Sequence, residues 1–234
     1  MCEQIAGSPF HIQVISGAVL TMTDIVLIRH GETAWNAEAR LQGHLDIGLN
    51  ANGVAQARRV AQALASEPFA AIVASDLQRA RQTADAIALE RNLPVTLDRA
   101  LRERCFGGFE GLLYDDIEAH FPQDYLRWKA REIDARYPPG VHAAETLREF
   151  SARSLAAVIS HASDHPAQTI AIVTHGGVLD CVYRAACQIG LERPRDFDIM
   201  NTGVNRFRWD GSALQLVSWG DVRHLGADML DELA

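Results

Sequence analysis

Lysine is nearly absent from the sequence: Lys129 is the only one, and no run of basic residues occurs. The 22 lysines and arginines are outnumbered by 30 aspartates and glutamates, so the formal net charge is −8. This charge makes nucleic acid and anionic membranes poor partners. No G-x-x-x-x-G-K loop surrounds Lys129, which excludes that class of nucleotide-binding site. A small anionic substrate is still compatible with the sequence, provided that a few well-placed arginines hold it.

Cysteines are few and widely spaced. The four of them show neither a C-x-x-C pair nor the spacing of a zinc site, which favours a reducing environment and predicts a cytoplasmic protein. His161 and His165 stand four residues apart, but no third metal ligand is evident near them. We therefore predict no metal site and no bound cofactor.

Long apolar runs are also lacking, and no transmembrane segment is predicted. The stretch "HIQVISGAVLTM" is too short to cross a bilayer, and no lysine or arginine precedes Arg29 as a secretory signal would require. We interpret residues 1–21 as an N-terminal extension, either a tail or an added edge strand. Residues 22–234 are then the folded domain, with Met22 as a candidate natural start.

Short apolar segments alternate with segments of helical periodicity. The apolar segments predict buried strands at 24–30, 69–75, 93–98 and 169–175. Helices are predicted at 50–66, 76–92, 145–163 and 176–190, and a hairpin over 204–219. Ser75 and Gln78 match a capping box at the start of the second helix. This alternation predicts one α/β domain of three layers, in which a mostly parallel sheet carries helices on both faces.

Residues 104–144 interrupt the alternation of strands and helices. Two short helices are predicted within 114–136, on either side of Pro122, and the sequence Pro138-Pro139-Gly140 indicates a loop after them. We interpret this stretch as a lid-like insertion over the carboxyl edge of the sheet.

Three of the predicted strands end in polar residues. These are Arg29, His30 and Gly31 after the first strand, Ser75, Arg79 and Arg81 after the second, and Thr174, His175, Gly176 and Gly177 after the fourth. The carboxyl ends of parallel strands line one crevice, so these groups are expected to meet. Guanidinium groups and a helix N-terminus both favour a tetrahedral oxyanion such as phosphate.

This set of residues suits covalent catalysis. Once arginines neutralise a phosphoryl group, a neutral imidazole can attack phosphorus and form a phosphohistidine. The departing alkoxide needs a proton, and Glu103 in "LRERCFGGFEG" is the candidate donor, with Glu110 as the next choice.

Five motifs in order resemble the histidine phosphatase superfamily, also called phosphoglycerate mutase-like. They are "LIRHGETAWN", "QG" at 42–43, "SDLQRARQT", "LRERCFGGFEG" and "THGG". The similarity spans roughly residues 22–225, which makes it far more specific than R-H-G alone. The resemblance implies the phosphoglycerate mutase-like fold and a phosphoryl-transfer activity.

The resemblance also implies a role for each matching residue. His30 matches the nucleophile and Glu103 the proton donor, while Arg29, Arg79 and His175 match the rest of the phosphate pocket. Positions near the substrate are matched by Asn36, Gln42, Gly43, Arg81, Gly176 and Gly177. We also place Gly31 in the substrate-binding set, and for it we predict a backbone contact that sets the tautomer of the His30 imidazole.

Two activities compete within this family, hydrolysis of phosphomonoesters and phosphoglycerate mutation. A mutase is expected to close a basic lid over its anionic substrate, but residues 104–144 contain five cations and seven anions. The sequence "FGGFEGLLYDDIEAHFPQDYLRW" also resembles the phosphatase branch. We therefore predict a metal-independent phosphatase of a small phosphomonoester, with a mutase as the alternative. A non-catalytic phosphoryl-binding module is a third hypothesis, disfavoured because nucleophile and acid are both present.

The identity of the substrate stays open at this point. Sugar phosphates, phosphoglycerates, nucleotides and a cobalamin-pathway phosphate all fit such a pocket. The sequence also leaves open whether the protein is a monomer or a homodimer.

Overall fold

A computed structural model describes residues 22–89 and 91–226. The proposed extension at residues 1–21 lies outside the described residues, and so does the end of the proposed domain after residue 226. In the part of the chain that is described, no helix combines the length and the apolar character that crossing a membrane requires.

The elements follow the alternation that the sequence predicts. The strands are β1 (Thr23–Arg29), β2 (Phe69–Ala74), β3 (Val95–Leu97), β4 (Thr169–Thr174), β5 (Val204–Trp209) and β6 (Leu214–Asp221). The helices are α1 (Ala34–Ala37), α2 (Ala51–Ala63), α3 (Gln78–Leu89), α4 (Tyr114–His120), α5 (Pro122–Lys129), α6 (Leu147–Ser163) and α7 (Gly176–Cys187). Short 3-10 turns lie at Arg99–Leu101, Gly107–Phe109 and Arg223–Leu225.

The strands form one mixed sheet in the order β3-β2-β4-β1-β5-β6. The four strands from β3 to β1 are parallel, whereas β5 and β6 are antiparallel and form the predicted hairpin. Asp210 closes its turn, because Oδ1 accepts the backbone N–H groups of Ser212 and Ala213, each at 2.8 Å. The predicted fold class, with its mostly parallel sheet, is confirmed.

The sheet separates two apolar cores. Along β1, Ile25 and Leu27 face one core while Val26 and Ile28 face the other, as the alternation of side chains in a strand requires. Helices α6 and α7 pack on the first face, and α2 and α3 pack on the second. This gives the predicted three layers.

Residues 104–144 have an apolar cluster of their own. Phe109 stacks on Tyr137 with ring centroids 4.6 Å apart, and Ile117 and Leu41 are buried beside them. The helices α4 and α5 meet at Pro122, as predicted. An isolated bridge between Arg40 and Leu113 joins this segment to the chain before α2.

The start of α3 differs from the prediction. Ser75 and Gln78 do not form a capping box; instead the N–H of Gln78 donates to Oδ1 of Asp46 at 2.7 Å. The hydroxyl of Ser75 lies 2.8 Å from Nε2 of His175, across the sheet edge. A residue distant in sequence therefore caps the helix, which leaves Ser75 free for its contact with His175 behind the pocket.

Candidate active site

The two histidines of the motifs meet at the carboxyl edge of the sheet. β1 and β4 are neighbours in parallel register, with Arg29 beside Thr174, so His30 and His175 follow at the same level. The backbone N–H of His30 donates to the carbonyl of Thr174 at 2.9 Å. The imidazole ring centroids are 5.2 Å apart.

His30 has the properties of a nucleophile. Its Nδ1 lies 2.7 Å from the carbonyl oxygen of Gly31, so Nδ1 carries the proton and donates, and the lone pair is on Nε2. Burial lowers the pKa of His30 well below its usual value, and the charges of Arg79 and Arg29 lower it further. The imidazole is therefore neutral at physiological pH.

Gly31 makes the backbone contact that the sequence predicts. It lies against the start of α2, where an added Cβ would come 2.6 Å from the carbonyl oxygen of Gly53. Its N–H donates to Oγ1 of Thr83 at 3.0 Å. Gly31 contacts the imidazole of His30 through its carbonyl but does not itself line the cavity, unlike the other glycines placed in the substrate-binding set.

Two arginines flank His30, Arg79 fully buried and Arg29 half-buried. Nη1 of Arg29 donates to the carbonyl of Ile199 at 2.6 Å, but its buried Nε has no hydrogen-bond partner. Arg79 donates from Nη1 to Leu45 and from Nη2 to Gly43, at 3.0 and 2.8 Å. A guanidinium has five N–H donors, so both arginines keep donors for a ligand. Burial lowers the pKa of Arg29, and it lowers the pKa of Arg79 to about 10, which leaves Arg79 cationic at neutral pH.

His175 is fully buried behind the pocket and does not line the cavity. Nε of Arg79 donates to its Nδ1 at 3.2 Å, so the proton is on Nε2, which donates to the hydroxyl of Ser75. Burial lowers the pKa of His175 well below its usual value, with Arg79 the next cause. In this arrangement His175 holds the guanidinium of Arg79 in place.

Glu103 reaches the cavity from the loop after β3. Its Oε1 accepts the N–H of Arg104 at 2.8 Å, and its Oε2 accepts the N–H of Gly177 at 3.0 Å. The start of α7, expected to offer its N–H groups to an anion, is thus partly occupied by this carboxylate. Glu110, the alternative acid, does not line the cavity, and its Oε1 accepts from the backbone of His44 and Phe106.

A cavity of about 590 Å³ opens in front of these groups, a size typical of small-molecule sites. Of the residues predicted near the substrate, it is lined by Asn36, Gln42, Gly43, Gly176 and Gly177. Arg81 does not line it: its side chain is mostly exposed and pairs with Asp85 at 3.6 Å. Two residues along a helix turn by about 200°, so Arg81 points away when Arg79 points inward.

Several residues that line the cavity were not predicted from the sequence. They are Arg40, Arg104, Phe106, Tyr114, Trp128, Lys129, Arg131, Asp180 and Arg195. Asp180 follows Gly177 by three residues on α7, so helical spacing could have indicated it. For Arg195, in the exposed loop before β5, no local signal existed.

The cavity is positively charged, although the chain as a whole is negatively charged. Seven cationic side chains and two carboxylates line it, although the whole chain carries −8. From residues 104–144 the lining includes Arg104, Lys129 and Arg131, but none of the seven acidic residues. The side of the insertion that faces the cavity is therefore basic. The excess of acidic residues counted over 104–144 lies away from the cavity.

No group of three histidine, cysteine, aspartate or glutamate side chains within 22–89 and 91–226 is arranged to hold a metal ion. The histidine pair of α6 has other contacts. Nε2 of His161 lies 2.8 Å from Oδ2 of Asp98, and Nδ1 of His165 lies 2.8 Å from the carbonyl of His161.

Fold and site together define an α/β protein with a histidine-centred pocket for a tetrahedral oxyanion. The chain belongs to the histidine phosphatase superfamily, because residues 25–222 match the profile described as "Histidine phosphatase superfamily (branch 1)". This confirms the resemblance seen in the sequence.

Individual relatives align over most of the chain. Phosphoglycerate mutase-like protein 4 of Arabidopsis thaliana is 40% identical over 205 residues, 86% of each chain. The metal-independent phosphoserine phosphatase of Arabidopsis thaliana is 33% identical over 208 residues, 88% of this chain and 84% of that protein. The structure of YhfR from Bacillus stearothermophilus superposes with a TM-score of 0.80 at 33% identity, covering 87% of this chain and all of the other.

Proposed function

We propose that the protein is a metal-independent phosphatase that hydrolyses a small phosphomonoester through a phosphohistidine at His30. The observation that carries the proposal is the state of His30, which is neutral, is protonated on Nδ1, and lines the same cavity as Arg29 and Arg79. The relationship to a protein named metal-independent phosphoserine phosphatase supports it.

In the first step, Nε2 of His30 attacks phosphorus and the bond to the ester oxygen breaks. Arg29 and Arg79 hold the phosphoryl oxygens, and the unpartnered Nε of Arg29 gains an acceptor. The leaving alkoxide takes a proton from Glu103, whose carboxyl lies at the same cavity. To donate, Glu103 must exchange one of its two backbone contacts for the ester oxygen.

In the second step, water attacks the phosphohistidine. Glu103, now ionised, takes a proton from this water, and the N–P bond breaks to release inorganic phosphate. Nδ1 of His30 keeps its proton and its contact with Gly31 throughout. Positive charge at the phosphoryl group comes from arginine, so the chemistry needs no metal.

The nucleophile is tested with p-nitrophenyl phosphate in the presence of EDTA. We expect wild-type protein to release phosphate and to yield an acid-labile phosphohistidine, because His30 forms the covalent bond. His30→Ala should lower the rate by several orders of magnitude. His120→Ala, a change of an exposed histidine on α4, is the control and should keep wild-type activity.

Two outcomes would contradict this mechanism. One is activity of His30→Ala within tenfold of wild type. The other is complete loss of activity in EDTA that Mg²⁺ or Zn²⁺ restores.

A phosphoglycerate mutase is the second candidate function. The basic inner side of residues 104–144 favours it, because a mutase holds a highly anionic substrate away from water. A relative is named phosphoglycerate mutase-like. Incubation with 3-phosphoglycerate and a trace of 2,3-bisphosphoglycerate, which phosphorylates the histidine, separates the two functions. A phosphatase releases inorganic phosphate, whereas a mutase yields 2-phosphoglycerate, and phosphorus NMR distinguishes the products.

A further inference from the structure

The segment that carries Glu103 is held in place mainly by side chains. It connects two 3-10 turns in the loop after β3. The backbone N–H of Arg104 donates to the carboxylate of Glu103 itself at 2.8 Å. The backbone N–H of Cys105 donates to Oε2 of Glu145 at 2.9 Å. The position of Glu103 therefore depends on the groups that fix this segment from outside.

Arg153 on α6 contacts the segment at several points. Its Nη1 donates to the carbonyls of Ala100 and Arg102 at 2.8 and 3.1 Å, and its Nη2 donates to the carbonyl of Glu103 at 3.3 Å. Its Nε and Nη2 also donate to the two carboxylate oxygens of Glu145, at 2.8 and 2.7 Å. These five contacts match the five N–H donors of a guanidinium. One side chain thus fixes three backbone carbonyls that end at Glu103.

Glu145 extends this arrangement to the residues after Glu103. Its Oε2 accepts from both Arg153 and the backbone of Cys105, and its own N–H donates to the carbonyl of Cys105 at 2.9 Å. Its carbonyl accepts from Nη2 of Arg104 at 2.9 Å. The backbone is therefore held on both sides of Glu103, and the ion pair of Arg153 with Glu145 joins the two sides.

Arg153 reaches the cavity only through Glu103. Its own side chain does not line the cavity, whereas that of Glu103 does. The carboxylate of Glu103 is placed by its contact with the N–H of Gly177, at 3.0 Å. A general acid must lie within hydrogen-bond reach of the oxygen that it protonates. A shift of the backbone at Glu103 would carry the carboxylate away from Gly177 and from that oxygen together.

We propose that Arg153 is a positioning residue for the proton donor, and that its contacts with the backbone of the segment hold the carboxylate of Glu103 at the cavity. This inference rests on the proposed function, in which Glu103 protonates the leaving group. Loss of Arg153 then weakens the step that needs this proton and has less effect where the leaving group departs without one.

The variant Arg153→Gln tests the inference in single-turnover formation of the phosphoenzyme. The two esters are glycerol 3-phosphate, whose alkoxide needs a proton, and p-nitrophenyl phosphate, whose nitrophenolate does not. A misplacement of about 1 Å can cost ~10²-fold in rate, so we expect a slowing of about tenfold or more with glycerol 3-phosphate. The slowing with p-nitrophenyl phosphate should be much smaller, because a displaced acid matters less there. A general loss of structure would slow both esters alike.

Arg148→Gln is the matched control. Arg148 is an exposed arginine of the same helix, and its guanidinium forms two hydrogen bonds with Asp134, at 2.7 and 2.9 Å. This variant also removes an ion pair, but it should leave the ratio of the two rates unchanged. Arg153→Lys keeps a positive charge beside Glu145 without the planar set of five donors. It should show the same change in ester selectivity, and it replaces Arg153→Gln if that variant does not fold.

The amide resonance of Gly177 in heteronuclear NMR reports the position of Glu103 without turnover. In Arg153→Gln this N–H loses its acceptor, so its resonance should move, whereas Arg148→Gln should leave it in place. An unmoved resonance in Arg153→Gln overturns the inference. Equal slowing of both esters by Arg153→Gln also overturns it when Glu103→Gln is selective. If Glu103→Gln is not selective but the resonance moves in Arg153→Gln, the proposed acid fails and the positioning role stands.

Discussion

At the scale of single residues, the environment of His30 serves two purposes. Burial and the charges of Arg79 and Arg29 keep the imidazole neutral, since a protonated ring would add a buried positive charge near two others. The same arginines present positive charge to a phosphoryl group. One arrangement therefore leaves the lone pair on the nucleophile and neutralises the group that it attacks.

Glu103 provides a prediction at the same scale. Its proposed role is to protonate the leaving group, a contribution of typically ~10²–10⁴-fold, which a sugar alkoxide needs and a nitrophenolate does not. Glu103→Gln should therefore slow phosphoenzyme formation strongly from an alkyl phosphate and weakly from p-nitrophenyl phosphate. Single-turnover kinetics are required, because Glu103 is also proposed to activate water in the second step.

The control for this prediction is Glu118→Gln, which changes an exposed carboxylate on α4. This variant should form the phosphoenzyme from both esters at the wild-type rate. Equal slowing of phosphoenzyme formation from both esters in Glu103→Gln would assign the acid to another group.

At the scale of elements, the start of α7 is fitted to the carboxylate of Glu103. Gly177 donates its N–H to Oε2, and Oε1 lies where a side chain on Gly177 would be. Gly176 differs, because a Cβ added there would lie 3.7 Å from Nε of Arg29, an ordinary van der Waals contact. Gly177 is thus needed for the close approach of Glu103 and not for an unusual backbone angle.

Gly177→Ala tests this fit. The added Cβ would lie 2.1 Å from Oε1 of Glu103, and the end of that flexible side chain would move away. We expect a small loss of stability and the same selective slowing of alkyl phosphates that Glu103→Gln causes, measured by the same single-turnover assay. Gly190→Ala is the control: its Cβ would displace the carboxylate of Glu192, which does not line the cavity. Unchanged ester selectivity in Gly177→Ala would show that the carboxylate position is unimportant.

At the scale of the whole molecule, the buried histidines link stability to pH. The pKa values of His30 and His175 are held well below the usual value by burial, and burial also lowers those of His44 and His224. Below about pH 6.5 the unfolded chain binds protons that the folded protein does not. Stability is therefore complete above this pH and decreases as the pH falls.

Urea unfolding between pH 7.5 and 5.5 measures this dependence. Each such histidine contributes up to about 1.4 kcal/mol per pH unit to the slope of the unfolding free energy. His30→Asn should reduce the slope by up to that amount, whereas His120→Asn, which changes an exposed residue, should not change it. A slope that is identical in wild type and His30→Asn would contradict the assignment of a depressed pKa to His30.

The sequence alone was sufficient for the strands, their order of alternation with helices, and the place of Arg29 and His30 at a strand end. These features are local, because a period of two or of 3.6 residues records which face of an element is buried. The resemblance to the family also depended on short motifs in order. The roles of His30, Glu103 and the arginines stay predictions, although the structure brings these residues to one cavity or directly behind it.

Only the tertiary structure decided which charges face the cavity. A count over residues 104–144 could not separate Lys129 and Arg131, which face inward, from acidic residues that face outward, because facing depends on how α4 and α5 pack. Arg195 and Asp46 act across long sequence separations, on the pocket and on the cap of α3 respectively. Contacts of this kind arise when the folded chain brings distant segments together, and no local period of the sequence encodes them.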